Sequence, residues 1–491
     1  MSQHLKDILL KRHALKRCGS TVPTAMPPTQ RQSLMTVMAQ ATSPSYRLWP
    51  PETCDEHQSL TLGEPSCSNS PLEKGASTSS GSSERERAPW PVTLGTLLAL
   101  QLGWGLWLMP AVYARMGWLP GTVAIGVLTL LTAYSGFLIS RLVQTVSGAI
   151  LFGDIGEAAA GAKGRNVVYG IVYTLGATRC IILQLATTES LKYAFGSSND
   201  ESLLLYGLAV AIVALVLVQV KSLSNLGWFL SFGTFGQLFA AIVVVYKLAT
   251  SPRLGATTEL VHAGEASTFL VAIMNIIFAY GGQFAFVEVI NSMQQPKHFP
   301  GIVSFSTAIM GAGYVGIGMI GYWARGIAVP DVIIFGIGDD WLARAACNAI
   351  LIQGIGQYLV NLNIWTHNIL TLLARSQGGK CAAHIESSSD HHWLSWLAGT
   401  TFVVAYSFLI SMTVPYFSSL VALVTSATYL ICAYTIPCCF TLALLRERLP
   451  RAELALCTVL IPLSLLMSCA GVLSAFQNLM ENVRGGVVLR T

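Results

Sequence analysis

Charge is what this sequence has least of. Of its 491 residues 11 % are Asp, Glu, Lys or Arg, against 53 % hydrophobic, where a soluble domain carries about 25 % charged residues. That deficit excludes a chain kept in solution by its own surface. A formal net charge of +5 makes no basic footprint, which excludes nucleic-acid binding. The eleven cysteines show neither even spacing nor a compact framework, so a disulfide-rich secreted module is excluded too. Cys438-Cys439 is an adjacent pair in an apolar run, and His391-His392 is too little for a metal site. No metal, cofactor or enzymatic centre is expected.

The few charges are unevenly spread. Residues 1–88 hold eighteen of them, with fourteen Ser and eight Pro, and end in Ser79-Ser80-Gly81-Ser82-Ser83-Glu84-Arg85-Glu86-Arg87. Such a stretch cannot bury enough apolar surface to offset its ordering entropy, so it reads as a disordered tail. Its first seventeen residues are basic with some apolar content, without an apolar core of signal-peptide length. They suit a cytosolic regulatory tail or, since Asp7 is the one acid before Glu52, an organelle transit peptide.

From Trp90 onward the chain falls into continuously apolar blocks long enough to cross about 30 Å of hydrocarbon, which takes ~20 helical residues. Spans are expected at 91–113, 118–141, 166–193, 203–220, 226–249, 268–291, 301–323, 346–372, 394–413, 416–444 and 454–478. Closed barrels need short alternating strands instead. The fold class is therefore an all-α polytopic membrane protein of about eleven transmembrane helices. Its expected domains are the tail 1–88, a membrane domain 89–480 and a short tail 481–491. With a cytoplasmic N-terminus, inside loops carry Arg141, Lys163, Arg165, Lys221, Lys297, Arg375, Lys380, Arg446, Arg448 and Arg451. Outside loops carry Arg115, Lys192, Lys247, Arg253, Arg325 and Arg344. Ten against six has the sign of that orientation, and it puts Met480–Thr491 outside. Between spans 2 and 3, Asp154-Ile155-Gly156-Glu157 has capping-box spacing before three alanines and Gly161. This predicts a short interfacial helix.

Two spans carry interruptions at mid-depth. Span 1 reads Gln101-Leu102-Gly103-Trp104-Gly105-Leu106-Trp107-Leu108-Met109-Pro110, and span 6 reads Phe278-Ala279-Tyr280-Gly281-Gly282-Gln283-Phe284. Paired glycines weaken a helix, and Pro110 removes a ladder hydrogen bond. Glycine in membrane helices also permits close packing. The two pairs, however, lie five crossings apart, in helices running in opposite directions. That is the pattern of an inverted five-plus-five repeat, 91–249 and 268–444 with an extra helix 454–478, whose ligand sits between the half-helices. Freed N–H groups at such breaks suit an anion, and freed carbonyls suit a cation or an ammonium. An α-amino acid carries both charges on one carbon. The candidate substrate-binding residues are Gly103, Trp104, Gly105, Ala279, Tyr280, Gly281, Gly282 and Gln283.

Gly103-x-Gly105-Leu106-x-x-Met109-Pro110 resembles the first-helix signature of the amino acid/auxin permease family. Gly117-Trp118-x-Pro120-Gly121 is similar to it as well, as are Asp154-Ile155-Gly156 with Gly161 and Gly164, Ile273 to Pro300, Val414-Pro415-Tyr416-Phe417 and Pro437. Each motif is weak alone; five in order over residues 90–480 are specific. The resemblance implies a leucine-transporter-like (LeuT-like) fold with broken helices 1 and 6. It also implies secondary transport of amino acids or related small solutes, by proton symport in most branches and with sodium in some. Trp104 and Trp107 depart from the family's smaller residues and narrow the expected cavity.

Polar residues within spans complete the expectations. Gln353, Gln357, Asn361 and Asn368 fall within about 80° of arc on span 8, with His367 at the edge. They either line the path or bind neighbouring helices. In the resembled fold helix 8 supplies hydroxyls to a sodium site. Thr366 lies off the stripe, which favours protons over sodium. Glu288, in the inner half of span 6, is the candidate proton carrier, or an interfacial acid beside Lys297. Arg179 lies near mid-bilayer, where translocon scales charge about 3 kcal/mol for Arg. It demands compensation, by an ion pair with Glu288 or Glu189 or by a substrate carboxylate. The partners expected are an amino acid, H+ and the bilayer of a plasma or vacuolar/lysosomal-type membrane. A transporter-shaped sensor signalling through the tail is the competing function.

Overall fold

The computed structural model describes residues 89–146, 148–195, 203–219, 223–250, 257–376 and 389–488. The expectations for the tail 1–88 and for Lys221, Arg253 and Lys380 lie outside them. Among the described residues the chain is helical, without a strand. Span 1 is split into α1 (Trp90–Gln101) and α2 (Gly105–Met116). Span 2 is α3 (Trp118–Thr145), span 3 the body of α4 (Phe152–Ala194), and spans 4 and 5 are α5 (Leu203–Leu217) and α6 (Leu223–Thr250). Span 6 consists of α7 (Ala266–Ala279), a 3-10 turn Gln283–Ala285 and α8 (Phe286–Ser292). Spans 7, 8 and 9 are α9 (Phe299–Arg325), α10 (Trp341–Ser376) and α11 (Ser389–Thr413). Span 10 starts as α12 (Phe417–Val424) and ends as α13 (Ile436–Leu445), and span 11 is α14 (Arg451–Val488).

Among the described residues eight helical segments are long and apolar enough to cross a membrane. The other three crossings have physical reasons to be less conspicuous. Span 1 is cut into two twelve-residue pieces, α5 has fifteen residues, and α10 carries the polar stripe. Span 10 differs from the single helix expected over 416–444. It passes through two π turns, Thr425–Tyr429 and Ile431–Thr435, which rotate the side chains between its halves.

The interfacial helix is present, with a different start. The helix begins at Phe152, and Asp154 is its third residue, accepting from the Ile150 and Leu151 N–H groups at 2.9 Å each. Asp154 thus reaches back instead of starting the cap, and Glu157 pairs with Arg165 at 2.9 Å. Gly161 sits at φ 66°, ψ −156° and turns the chain into span 3, a conformation costly for a residue with a Cβ. A Cβ on Gly164 would fall 2.2 Å from the Gly156 carbonyl oxygen, so the short helix folds tightly against the start of the span.

Two groups of helices surround the breaks. In the first, α2 packs on α7, and α9 packs on α1, α2 and α3. Lipid tails are as apolar as side chains, so such contacts rest on close van der Waals fit. Glycines on α9 provide it: a Cβ on Gly318 would lie 2.5 Å from the Tyr113 ring, and one on Gly321 2.5 Å from Pro110. In the second group, α10 packs on α4 and α6, and α11 on α4, α5 and α10. The breaks of spans 1 and 6 lie where the two groups meet.

Candidate functional site

A narrow cavity of about 30 Å³ opens at the two breaks. Of the residues expected at the site, Gly103, Trp104, Gly105, Ala279, Gly281, Arg179 and Gln357 line it. Tyr280, Gly282, Gln283, Asn361 and Glu288 do not. Tyr280 is buried behind the break, its hydroxyl 2.6 Å from Thr129 Oγ1. Gly282 donates its N–H to Gln283 Oε1 at 2.9 Å, so the span 6 break caps itself. Asn361 donates to the Gln357 carbonyl within its own helix at 2.7 Å. Glu288 is half-buried in α8.

The glycines divide into two kinds. A Cβ on Gly105 would lie 2.4 Å from Ala279 Cα, and one on Gly281 2.5 Å from the Tyr429 ring. These two glycines let spans 1, 6 and 10 touch. Gly103 is different: its Cβ would meet only Gln357 Nε2, at 3.8 Å, so Gly103 faces the cavity. None of these glycines has positive φ; space rather than backbone freedom fixes them.

The breaks leave an uneven balance of donors and acceptors. Gln353 Nε2 of α10 donates to the Leu102 carbonyl at 3.2 Å, and Gln237 Nε2 of α6 to the Gly103 carbonyl at 3.1 Å. The Tyr314 hydroxyl of α9 lies 2.6 Å from the Ala279 carbonyl and 3.3 Å from that of Gln101. The Trp104 carbonyl accepts from the Trp107 N–H at 3.2 Å. The carbonyls of residues 101–104, which the sequence offered to a cation, therefore face protein donors. The N–H groups of Gly103, Trp104 and Gly105 have no acceptor among the described residues. Thr366 is not at this level. It lies thirteen residues past Gln353, about 20 Å along a helix.

Arg179 lines the cavity, its guanidinium 6.0 Å from the Phe284 ring centroid. Apart from the apolar Ile182 and Leu183 of span 3, three further residues line the cavity. Gln101 is 3 % exposed and aimed into the cavity, with neither amide atom partnered. Its signal was visible, a polar residue in an apolar span directly before the paired glycines. Phe278 and Tyr429 make an edge-to-face pair at 5.6 Å, and Tyr429 reaches the cavity from the first π turn. No linear pattern announces that turn.

Aromatic and polar contacts surround Trp104 at one end of the cavity. Trp104 packs edge-to-face on Phe417 at 5.9 Å. Beyond it, Arg115 at the end of α2 donates to Ser418 Oγ at 2.6 Å and pairs with Asp331 at 2.7 Å. This ties span 1 to span 10 and to the loop between spans 7 and 8.

Comparison with known proteins agrees with this geometry. The family model described as transmembrane amino acid transporter protein matches residues 86–481. Amino acid transporter AVT1E of Arabidopsis thaliana is 20 % identical over 77 % of this chain and 71 % of its own length. Amino acid transporter AVT1C of the same plant is 25 % identical over 78 % of this chain and 68 % of its own. The crystal structure of MhsT in complex with L-phenylalanine superposes with a TM-score of 0.53 at 13 % identity, covering 78 % of this chain and 98 % of that one. The fold is leucine-transporter-like, with helices 1 and 6 broken.

Proposed function

The chain belongs to the transmembrane amino acid transporter family, and from that premise we propose that it is a proton-coupled secondary transporter working by alternating access. Membership carries the coarse function, movement of amino acids across a membrane rather than catalysis. The finer reading rests chiefly on one observation: the span 1 carbonyls that would seat a coupling cation already accept from Gln353, Gln237 and Tyr314. A cation there would have to displace amide donors that have no other acceptor at hand. Glu288, in the helix that follows the span 6 break and without an ion-pair partner among the described residues, is then the proton carrier. The substrate's carboxylate binds the N–H groups at the start of α2, where the helix dipole favours an anion. Release to the outer side separates Trp104 from Phe417 and opens the Arg115–Asp331 pair. The N-terminus is cytoplasmic, and the tail 1–88 regulates the membrane domain 89–480.

Uptake of labelled amino acids into proteoliposomes tests this. An inward proton gradient is expected to drive accumulation and an inward sodium gradient is not. Glu288→Gln keeps size and hydrogen bonding but cannot release a proton, so accumulation is lost while exchange of internal for external substrate survives. Accumulation that follows sodium alone overturns the coupling. Substrate binding with no flux in any gradient supports the sensor instead.

A further inference from the structure

The span 1 carbonyls that a substrate's α-ammonium would use already accept from Gln353, Gln237, Tyr314 and the Trp107 N–H. On span 6 the Ala279 carbonyl accepts from Tyr314, and that of Phe278 from the Gly281 N–H. The N–H groups at the start of α2 meet a carboxylate and leave the other charge of an amino acid unanswered. We infer that the Gln101 side chain is the seat of the substrate's ammonium group, a role that rests on the transporter reading above. Gln101 is the last residue of α1. It lines the cavity, is 3 % exposed, and has no hydrogen-bond partner on Oε1 or Nε2. Among the described lining residues no other side chain holds buried polar atoms left this way. The side chain also reaches toward span 6: a Cβ on Gly282 would lie 3.5 Å from Gln101 Cγ and 4.0 Å from its Nε2. The amide thus stands between the two breaks.

A buried amide without partners is costly to keep, because each of its atoms has given up water for nothing. A ligand that brings both a donor and an acceptor removes that cost. An α-amino acid does so from one carbon: its ammonium donates to Oε1, and a carboxylate oxygen accepts from Nε2. The ammonium is a charged donor, so its bond to Oε1 is of the stronger, charge-assisted kind. A carbonyl that already accepts one hydrogen keeps a second lone pair, whereas the Gln101 oxygen has both to offer. Gln357 presents its Nε2 to Gly103, a donor rather than an acceptor. A substrate's side-chain amide would also satisfy Gln101, but only by leaving the ammonium to carbonyls already engaged. The ammonium carries the larger desolvation cost and takes the site.

The test is equilibrium binding to the purified protein by titration calorimetry, alongside uptake in proteoliposomes. The probes are L-alanine, L-leucine, L-glutamine and L-glutamate, each with its counterpart lacking the α-amine: propionate, isocaproate, glutaramate and glutarate. Wild-type protein is expected to bind an amino acid at least about thirtyfold more tightly than its counterpart, since the counterpart leaves Oε1 buried and unpaired. Gln101→Met keeps the length and removes both polar atoms. It is expected to weaken every amino acid the wild type binds by about tenfold, and to shrink the preference over the counterpart to about threefold. Gln101→Glu keeps an acceptor and restores the preference for the amine. Loss of glutamine binding alone in Gln101→Met overturns the inference, because the amide then reads a substrate side chain. Unchanged affinities in that variant overturn it as well. If Gln101→Met elutes as aggregate in detergent, the wild type and Gln101→Glu decide, and equal affinity for amino acids and their counterparts overturns the inference. Amino acids bound with the amine preference but moved in no gradient overturn the transporter reading and leave the ammonium seat standing. A protein that binds none of the four overturns both.

Discussion

The two broken helices solve one problem in two ways. A break at mid-membrane frees polar backbone groups that lipid cannot satisfy. In span 6 the chain answers locally: Gly282 donates to the neighbouring Gln283 side chain, and the 3-10 turn Gln283–Ala285 leads directly into α8. In span 1 the answer comes from elsewhere, with Gln353 and Gln237 reaching across from α10 and α6. The span 6 break can therefore move as a unit. The span 1 break is fastened to the other helix group by those two bonds.

Substitutions separate the two cases. The largest effect is expected from Gly105→Val, whose Cβ would occupy the position of Ala279 backbone. Uptake should be abolished with protein still in the membrane, as read by surface labelling. Gly103→Ala is the contrast: its methyl meets Gln357 Nε2 at ordinary contact distance, so the protein folds and KM rises several-fold. Wild-type KM in Gly103→Ala would remove that glycine from the substrate path.

Next in size is Gln353→Leu. It strips the donor from a buried carbonyl, a loss of about 1–3 kcal/mol, read as a lowered Tm in detergent. Gln283→Leu, where the lost partner is a single N–H of the same loop, should lower Tm less. Equal shifts would erase the distinction between a fastened and a self-capped break. The smallest effect is expected at the outer surface. Lys247 donates to Asp340 at 2.7 Å and holds its carboxyl below the usual carboxylate range. A depressed carboxylate contributes above its unfolded pKa and is lost as pH falls through the lower folded value. This exposed pair therefore adds no pH dependence to uptake between about pH 5 and 8. Asp340→Asn should leave that profile superimposable on wild type.

The span pattern was legible because lipid leaves few options: an apolar block of the right length must be helical, whatever its partners. The breaks were legible because paired glycines interrupt that block in two matching places. What the sequence hid are pairings decided in three dimensions. Gln237 looks like one polar residue in an apolar span, and only the fold brings it to the Gly103 carbonyl. Tyr429 reaches the cavity through a π turn made of ordinary helix-compatible residues. Gly281 lines the cavity and also makes room for the Tyr429 ring, a contact that only the fold brings about. Arg179 was conspicuous as a charge in hydrocarbon, but its place at the cavity wall is a matter of rotation about span 3.

Tyr314 belongs to neither broken helix, yet its hydroxyl sits between the carbonyls at the ends of α1 and α7, at 3.3 and 2.6 Å. A hydroxyl has a single proton to give. Both severed ends thus draw on one proton carried by a third helix, and neither can leave the other without surrendering its claim to that third. Mechanically this is a pinned joint. Its three arms are spans 1, 6 and 7.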